Sequence, residues 1–395
     1  MKKVLEKLEV ADVNQLVHRL IGSGYSFAAW RMPNEDLEHL IISLRGMDRI
    51  TDLNLGELPT GFLLNAFDDS HPISPYYIPA DIELEENRMK VHPVVNDSQL
   101  DRFQSAMQLS IQDSPIKRTS IANQANYASS SDFIELVEKS IQKIEEGYFE
   151  KVVVSRFKDE PLAETFDIWE YFQRICKKYQ NAFCSLTFIP DQGLWIGASP
   201  ELLISESGQR FKTVALASTK KLQPDQELSE IAWTQKEIEE QAFVSRYIIN
   251  CFKKLCLREF HEYGPKSIKA GNLAHLKTIF EVKYDEVQFE KLGDQMLNLL
   301  HPTSAVCGMP IDHAKPWILA NERYSRELYA GFLGPVNYDG ESNLFVNLRC
   351  AKVEHGIIRF YAGAGITEDS VPEREFQETE MKIDVLRKLL LDGKA

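Results

Sequence analysis

Three charged residues near the C-terminus, Glu375, Glu378 and Lys382, recur at spacings of three and four. On a helix those spacings put all three on one face. A pair of carboxylates beside an ammonium suits a hard cation next to a carboxylated ligand. Just before them runs Gly356-Ile357-Ile358-Arg359-Phe360-Tyr361, extended in pattern, followed by Ala362-Gly363-Ala364-Gly365-Ile366. Read as a glycine-bearing turn, the second run would present backbone N–H groups around Gly363 and Gly365 to an anion. Together they suggest a site for a small, multiply anionic molecule held partly through Mg²⁺. The same residues also describe a surface helix with solvated i,i+4 pairs after an ordinary β-turn. Other groups must join them before the first reading is preferred.

Four further places in the chain offer such groups. Lys151 opens the apolar run Lys151-Val-Val-Val-Ser-Arg156. It is either a lysine snorkelling from a strand mouth or a desolvated amine with a pKa below the usual 10.4 or so, fit to act as a base. Glu201 follows Ser199-Pro200 at a strand corner. It is either a turn residue or a partly buried general acid. Glu237 and Glu240 share a helix face with Lys236, and either could face Glu378 across a cleft and share Mg²⁺. Arg349, within Asn347-Leu348-Arg349-Cys350-Ala351, needs an anionic partner, internal or bound. P-loop, GxGxxG, GxSxG and HExxH patterns are all absent, so nucleotide, hydrolase and zincin readings lack their main support.

The elements that must position these groups can be read in outline. Residues 1–125 contain an amphipathic start (Leu5, Leu8, Val10), a helical Val13–Leu20, and strand-like runs at Tyr25–Trp30, Leu40–Ser43 and Gly61–Leu64. The Asp-, Ser- and Pro-rich Phe67–Pro79 reads as loop, and 112–131 as a polar connector. No chemical motif lies in this portion, which reads as scaffold. Residues 126–395 carry every candidate group. Helices are expected from Ser131 to Gly147, at Phe166–Tyr179, Leu228–Leu257, Asp285–Leu300 and Trp317–Glu322, and from Glu373 to Leu391. Between them come strands at Lys151–Arg156, Ala182–Ile189, Leu194–Gly197, Phe211–Ala217, Leu276–Val282, Leu328–Leu333, Leu344–Val353 and Gly356–Tyr361. Consecutive strands outnumber βαβ units. The fold class is therefore α+β, with antiparallel sheets and helices outside.

Bulk composition narrows the partners. With 44% hydrophobic and 26% charged residues, this is the make-up of a soluble globular protein. The net charge of −14 and the lack of a basic block argue against nucleic acid. That charge also sets a problem for an anionic ligand, since lysine, arginine or metal must invert the local potential. Six scattered cysteines form no CxxC pair, so neither a zinc site nor a disulfide framework is expected. The basic start MKKVLEKLEV lacks the apolar core of a signal peptide, and no apolar run is long enough for a membrane span. The expected address is the reducing cytoplasm.

Several motifs occur together and in a fixed order. They are Lys151-Val-Val-Val-Ser-Arg156, Gly197-Ala-Ser-Pro-Glu201, Leu216-Ala-Ser-Thr219, Lys236-Glu-Ile-Glu-Glu240, His301-Pro-Thr-Ser-Ala-Val-Cys-Gly308, Arg326-Glu-Leu-Tyr-Ala-Gly331, Arg349-Cys-Ala-Lys352, Gly363-Ala-Gly365 and Glu375-Phe-Gln-Glu378-Thr-Glu-Met-Lys382. In this order they resemble the chorismate-utilising enzymes, the family of anthranilate synthase component I, from about residue 130 to the C-terminus. Some members add ammonia to chorismate and others add water. Lys151, where aminating members usually carry glutamine, and Ser304-Ala305, where they read Gly-Thr, lean toward the water-adding isochorismate synthases. The salicylate synthases, which also eliminate pyruvate, share Lys151 and are the nearest alternative.

The resemblance implies two large packed antiparallel sheets and a Mg²⁺-dependent reaction on chorismate. It implies Lys151 as the base activating water and Glu201 as the acid. Glu240 and Glu378 would bind Mg²⁺, with Glu237 and Glu375 beside them. Arg349, Lys382 and the backbone at Gly363 and Gly365 would clamp carboxylates. Thr219, His275 and Ala305 would line the pocket. No obligatory glutamine amidotransferase partner is implied. The chain departs from the family's Leu-Ala-Gly-Thr at Ser218, which adds a side chain where backbone approaches substrate.

Overall fold

The computed structural model describes residues 12–392, apart from 51–52, 69–74, 86–87, 109–129, 191, 223–225, 271–272 and 290. The amphipathic start and nearly all of the polar connector lie outside the described residues. The helices are α1 (Val13–Ser23), α2 (Asp97–Gln108), α3 (Ser130–Glu145), α4 (Ile168–Lys178), α5 (Gln235–Lys254), α6 (Leu292–Leu300), α7 (Ile311–Asn321) and α8 (Pro372–Asp392). The first strands are β1 (Phe27–Arg31), β2 (Glu38–Ile42), β3 (Asp48–Arg49), β4 (Gly61–Asn65), β5 (Tyr76–Pro79), β6 (Ile82–Glu85) and β7 (Arg88–Val91). The middle of the chain adds β8 (Lys151–Pro161), β9 (Phe183–Ile189), β10 (Gly193–Ser199), β11 (Leu202–Ser207), β12 (Arg210–Lys221), β13 (His261–Ala270) and β14 (Leu273–Lys283). The last are β15 (Gly308–Met309), β16 (Phe332–Val336), β17 (Glu341–Val346), β18 (Cys350–Glu354) and β19 (Ile357–Ile366).

These strands form two sheets. The first has ten strands in the order β15-β8-β19-β18-β10-β9-β1-β2-β6-β7, and the second has nine, β13-β14-β12-β11-β17-β16-β4-β5-β3. Neighbouring strands pair antiparallel throughout, as between β8 and β19 or β12 and β14. The expected α+β architecture is the observed one. Side-chain alternation explains the layering. On β1, Ala28 and Trp30 join the core between the sheets, while Phe27 and Ala29 join a second core under α1, α4 and α8. The first sheet is thus buried on both faces. Phe183 of β9 stacks on Phe345 of β17 across the inter-sheet core, with ring centroids 4.1 Å apart. Helix α5 covers the outer face of β12 and β14.

Local hydrogen bonding overrides pattern in several places. The expected helix from Leu228 begins instead at Gln235. Thr234 accepts from Glu237 N–H at 3.3 Å, and Glu237 reaches back to Thr234 N–H at 2.6 Å. This is a reciprocal cap that stops the helix extending upstream. The helix expected from Asp285 is confined to Leu292–Leu300, and Phe67–Pro79 contains the strand β5. The strand expected at Leu328–Leu333 begins at Phe332, because 328–331 turn back to bond Asn347. The strand expected at Leu344–Val353 is two strands, β17 in the second sheet and β18 in the first. Asn347 Nδ2 bonds Leu328 O at 2.9 Å, and Arg349 has a left-handed φ of 47°. The run Ala362–Ile366 is not a turn but the end of β19, in register with β8.

Candidate active site

Two chain crossings between the sheets set the site. The chain passes from β10 to β11 at Pro200-Glu201, and from β17 to β18 at Asn347–Arg349. The crossings lie side by side: Ala198 N–H bonds Arg349 O at 3.0 Å, and Val346 N–H bonds Glu201 O at 3.0 Å. Glu201 and Arg349 are thereby placed next to each other. Glu201 is buried and Arg349 partly so. Burial pushes the Glu201 carboxyl up to about 7, against the lowering pull of Arg349 and Lys151. Burial also lowers the Arg349 guanidinium, opposed by Tyr329, Glu378 and Glu201.

Lys151 starts β8, which lies between β15 and β19. Its side chain is 17% exposed, and Nζ lies 3.8 Å from Glu240 Oε1. Gly365 gives it room: a Cβ there would sit 2.9 Å from Lys151 Cε and 3.5 Å from Nζ. A buried ion pair braces this strand end. Arg326 binds Glu322 at 2.6 Å and donates to Val153 O at 2.7 Å and to Val306 O at 2.9 Å. Glu322 in turn accepts from Ser155 N–H at 2.7 Å. Deleting one member of such a pair strands the other in the core, at about 3–5 kcal/mol.

The two glycines act as strand residues, not as a turn. Val153 N–H goes to Cys307 O and Ser155 N–H to Glu322, so neither joins the ladder with β19. Their partners Gly365 and Gly363 therefore point their N–H and C=O groups away from β8. Gly363 O accepts from Lys382 Nζ at 2.7 Å, and Lys382 also holds Glu378 at 2.6 Å. Burial lowers Lys382, opposed by Glu378. The N-terminal ends of α8 and α5 lie within electrostatic reach of each other, with Lys236 acting to lower Glu375.

The four candidate metal carboxylates are not equivalent. Glu240 and Glu378 are 46% and 45% exposed and feel the same Lys151. Burial works to raise Glu378, but Lys382, Arg349 and Lys151 outweigh it and hold the group below the usual range. Glu375 is raised, first by burial and then by the negative Glu378. Glu237 is occupied by its capping bonds and by Lys220 at 3.0 Å. Among the described residues no group of three or more ligating side chains converges. Two half-exposed carboxylates on facing helix starts nevertheless suit Mg²⁺, which takes one or two carboxylates and completes its shell with ligand oxygens and water.

His275, on β14, is buried. Its Nδ1 lies 3.0 Å from Ser218 O, and burial lowers its pKa, with Arg349 and Lys382 adding to the effect. Thr219 lies on β12, but its side chain is outside the described residues. Ala305 is half-buried in the turn closed by Thr303 O, which accepts from Val306 and Cys307 N–H. Thr303 and Ser304 line a small cavity beside Glu201 that Lys151, Arg349 and Lys382 do not border. Pattern does not single out Thr303 or Tyr329, although both lie inside quoted motifs. Tyr329 stacks on Tyr361 at 5.3 Å, with its hydroxyl 2.9 Å from where a Cβ at Gly363 would be. Lys151, Arg349 and Lys382 thus all act on Glu378, a local concentration of positive charge in a chain of net charge −14.

Comparison with known proteins gives the family of the chain. The chorismate binding enzyme family model matches residues 76–391. Isochorismate synthase EntC of Escherichia coli (strain K12) is 30% identical over 242 residues, covering 60% of this chain and 61% of that protein. Isochorismate synthase DhbC of Bacillus subtilis (strain 168) is 28% identical over 262 residues, covering 64% of this chain and 65% of that one. The chain therefore spans less than two thirds of the length of these curated relatives. The solved structure of MenF, the menaquinone-specific isochorismate synthase from Escherichia coli, superposes with a TM-score of 0.78 at 23% identity. It covers 98% of this chain and 93% of that one, and so speaks for the fold. Because the family model spans most of the sequence and the two-sheet fold is shared, this chain belongs to the chorismate-binding enzymes.

Proposed function

We propose that this chain is a Mg²⁺-dependent isochorismate synthase of the cytoplasm that works without an amidotransferase partner. The reading is supported by a buried Glu201, raised by burial to about 7 and within electrostatic reach of Lys151. Water addition at C2 with loss of the 4-hydroxyl needs a base and an acid at different ring carbons. Lys151 Nζ takes a proton from water as its oxygen bonds to C2. The ring double bonds shift, and the C4–O bond breaks as Glu201 delivers its proton to the departing hydroxyl. Water enters and water leaves, so the reaction is a net isomerisation. Arg349, Lys382 and the β19 edge hold the substrate carboxylates. Bound between Glu240 and Glu378, Mg²⁺ would supply positive charge to the ring carboxylate. A base and an acid contribute about 10²–10⁴-fold each, and the clamp contributes orientation.

The test is product analysis of purified protein with chorismate and Mg²⁺. Isochorismate is the expected product. Salicylate with pyruvate would reassign the chain to the salicylate synthases, and an ammonia-dependent aromatic amine to the aminating branch. No turnover would leave only a binding protein.

Gly365→Ala tests the seat of the base. The added methyl meets the flexible end of Lys151 and no backbone, so the fold should lose less than about 1 kcal/mol. The Lys151 amino group must move, and a displacement of about 1 Å can cost about 10²-fold in rate. A fall of that order in kcat, with an unchanged melting curve, is expected. Full activity would show that Lys151 needs no such room.

A further inference from the structure

Strand β12 pairs with β14 at Ala217↔Leu276 and resumes at Lys220↔Ala274. Three steps on one strand match two on the other, which is a β-bulge. Ser218 lies in it with φ 61°, the left-handed region that glycine adopts freely and other residues adopt at a cost. The residue is buried. Something must hold a serine in a place made for glycine.

Its hydrogen bonds supply a reason. Ser218 Oγ lies 2.7 Å from Glu237 O and 3.1 Å from Glu240 Oε2. Ser218 O also accepts from His275 at 3.0 Å when Nδ1 carries the proton. The bulge is thus tied to the first turn of α5 on one side and to β14 on the other. A hydroxyl has one proton to donate, so the helix carbonyl and the carboxylate compete for it. Glu240 is half-exposed, and without this contact its side chain would sample several rotamers. With Oε2 against Ser218, Oε1 is directed toward Lys151 at 3.8 Å, into the cleft that Glu378 borders.

We propose that Ser218 is a positioning residue: its side chain holds the Glu240 carboxylate in the orientation that receives a divalent cation. This rests on the reading of Glu240 as a cation ligand. Ser218 exchanges local backbone ease for cation affinity.

Mn²⁺, titrated into full-length protein and followed by electron paramagnetic resonance, reads the effect without turnover. Ser218→Gly removes the hydroxyl and relieves the backbone. Ser218→Ala removes the hydroxyl and keeps the left-handed strain. Both should weaken Mn²⁺ about fivefold, the loss of one ordinary hydrogen bond. Their melting temperatures should differ, with the glycine variant the more stable. In a Glu240→Ala background, Ser218→Gly should add no further loss. Unchanged Mn²⁺ affinity in the two single variants overturns the proposal, and so does an equal loss that persists without Glu240. If Glu240→Ala itself leaves wild-type affinity untouched, the metal reading of Glu240 fails and this proposal fails with it. If only the Ser218 variants are silent, the metal reading stands alone.

Discussion

Lys151→Ala should lower isochorismate formation by about 10²–10⁴-fold, the range for removing a positioned general base, while leaving the protein folded. The two expectations come from different observations. Lys151 Nζ lies at the start of β8, where Gly365 leaves it room and Glu240 approaches it. Its removal strands no charge: Glu240 is half-exposed and retains Ser218, and the buried Glu201 keeps Arg349 and binds its proton more readily without the lysine. The β8 pairings with β15 and β19 run through backbone and persist. Circular dichroism and thermal unfolding should match wild type, and chromatography of the product should show the loss. Wild-type turnover in this variant would remove Lys151 from the base role.

Glu201→Gln should have two opposite effects. As the general acid, Glu201 must hold a proton to give, so turnover should fall by about 10²–10⁴-fold. In wild type, kcat/KM should decline as pH rises through about 7, where burial has placed this carboxyl. Glutamine should abolish that limb. The second effect concerns stability. A carboxyl whose folded pKa lies above its unfolded value of 4.5 binds more protons folded than unfolded between the two. Stability therefore falls as pH rises from 4.5 to about 7, and levels off above that. The neutral amide escapes this penalty. At pH 8 the variant should be more stable than wild type by about 1–3 kcal/mol, measurable by denaturant unfolding. A variant less stable at pH 8 would mean that the charged carboxylate is needed by the fold.

How much could be read in advance depended on whether the deciding force was local. The placement of Lys151 at a strand start and of Glu240, Glu378 and Lys382 on helix faces was legible because short-range periodicity sets those elements, whereas their proposed roles came from the resemblance of the ordered motifs. Arg349 was legible as a residue needing an anion, but not as a crossing residue. The run Leu344–Val353 has the pattern of one strand, and its break is imposed by Asn347 bonding to Leu328, nineteen residues away. Gly363 and Gly365 suggested a turn because glycine favours turns. In the fold their missing side chains instead make room for Tyr329 and Lys151, a steric role that periodicity does not reveal. Glu237 carried its own signal in the Thr234-x-x-Glu237 spacing, which marks a helix cap and accounts for its structural engagement. Thr303 and Tyr329 carried no local signal, since each reaches the site only through the packing of distant elements.

The two crossings between the sheets have a mechanical consequence. Glu201 and Arg349 are locked to each other through Ala198 and Val346, and both sheets converge on a core where Phe183 lies flat on Phe345. Moving the acid relative to the arginine would mean sliding one sheet over the other, against close packing. That wall of the cleft is stiff. The facing wall is made of the half-exposed Glu240 and Glu378, near the N-terminal ends of α5 and α8, held only by side-chain contacts with Ser218 and Lys382. Adjustment to a ligand therefore belongs to the helix side alone. Substitutions there can retune what is recruited while the proton donor stays where it was.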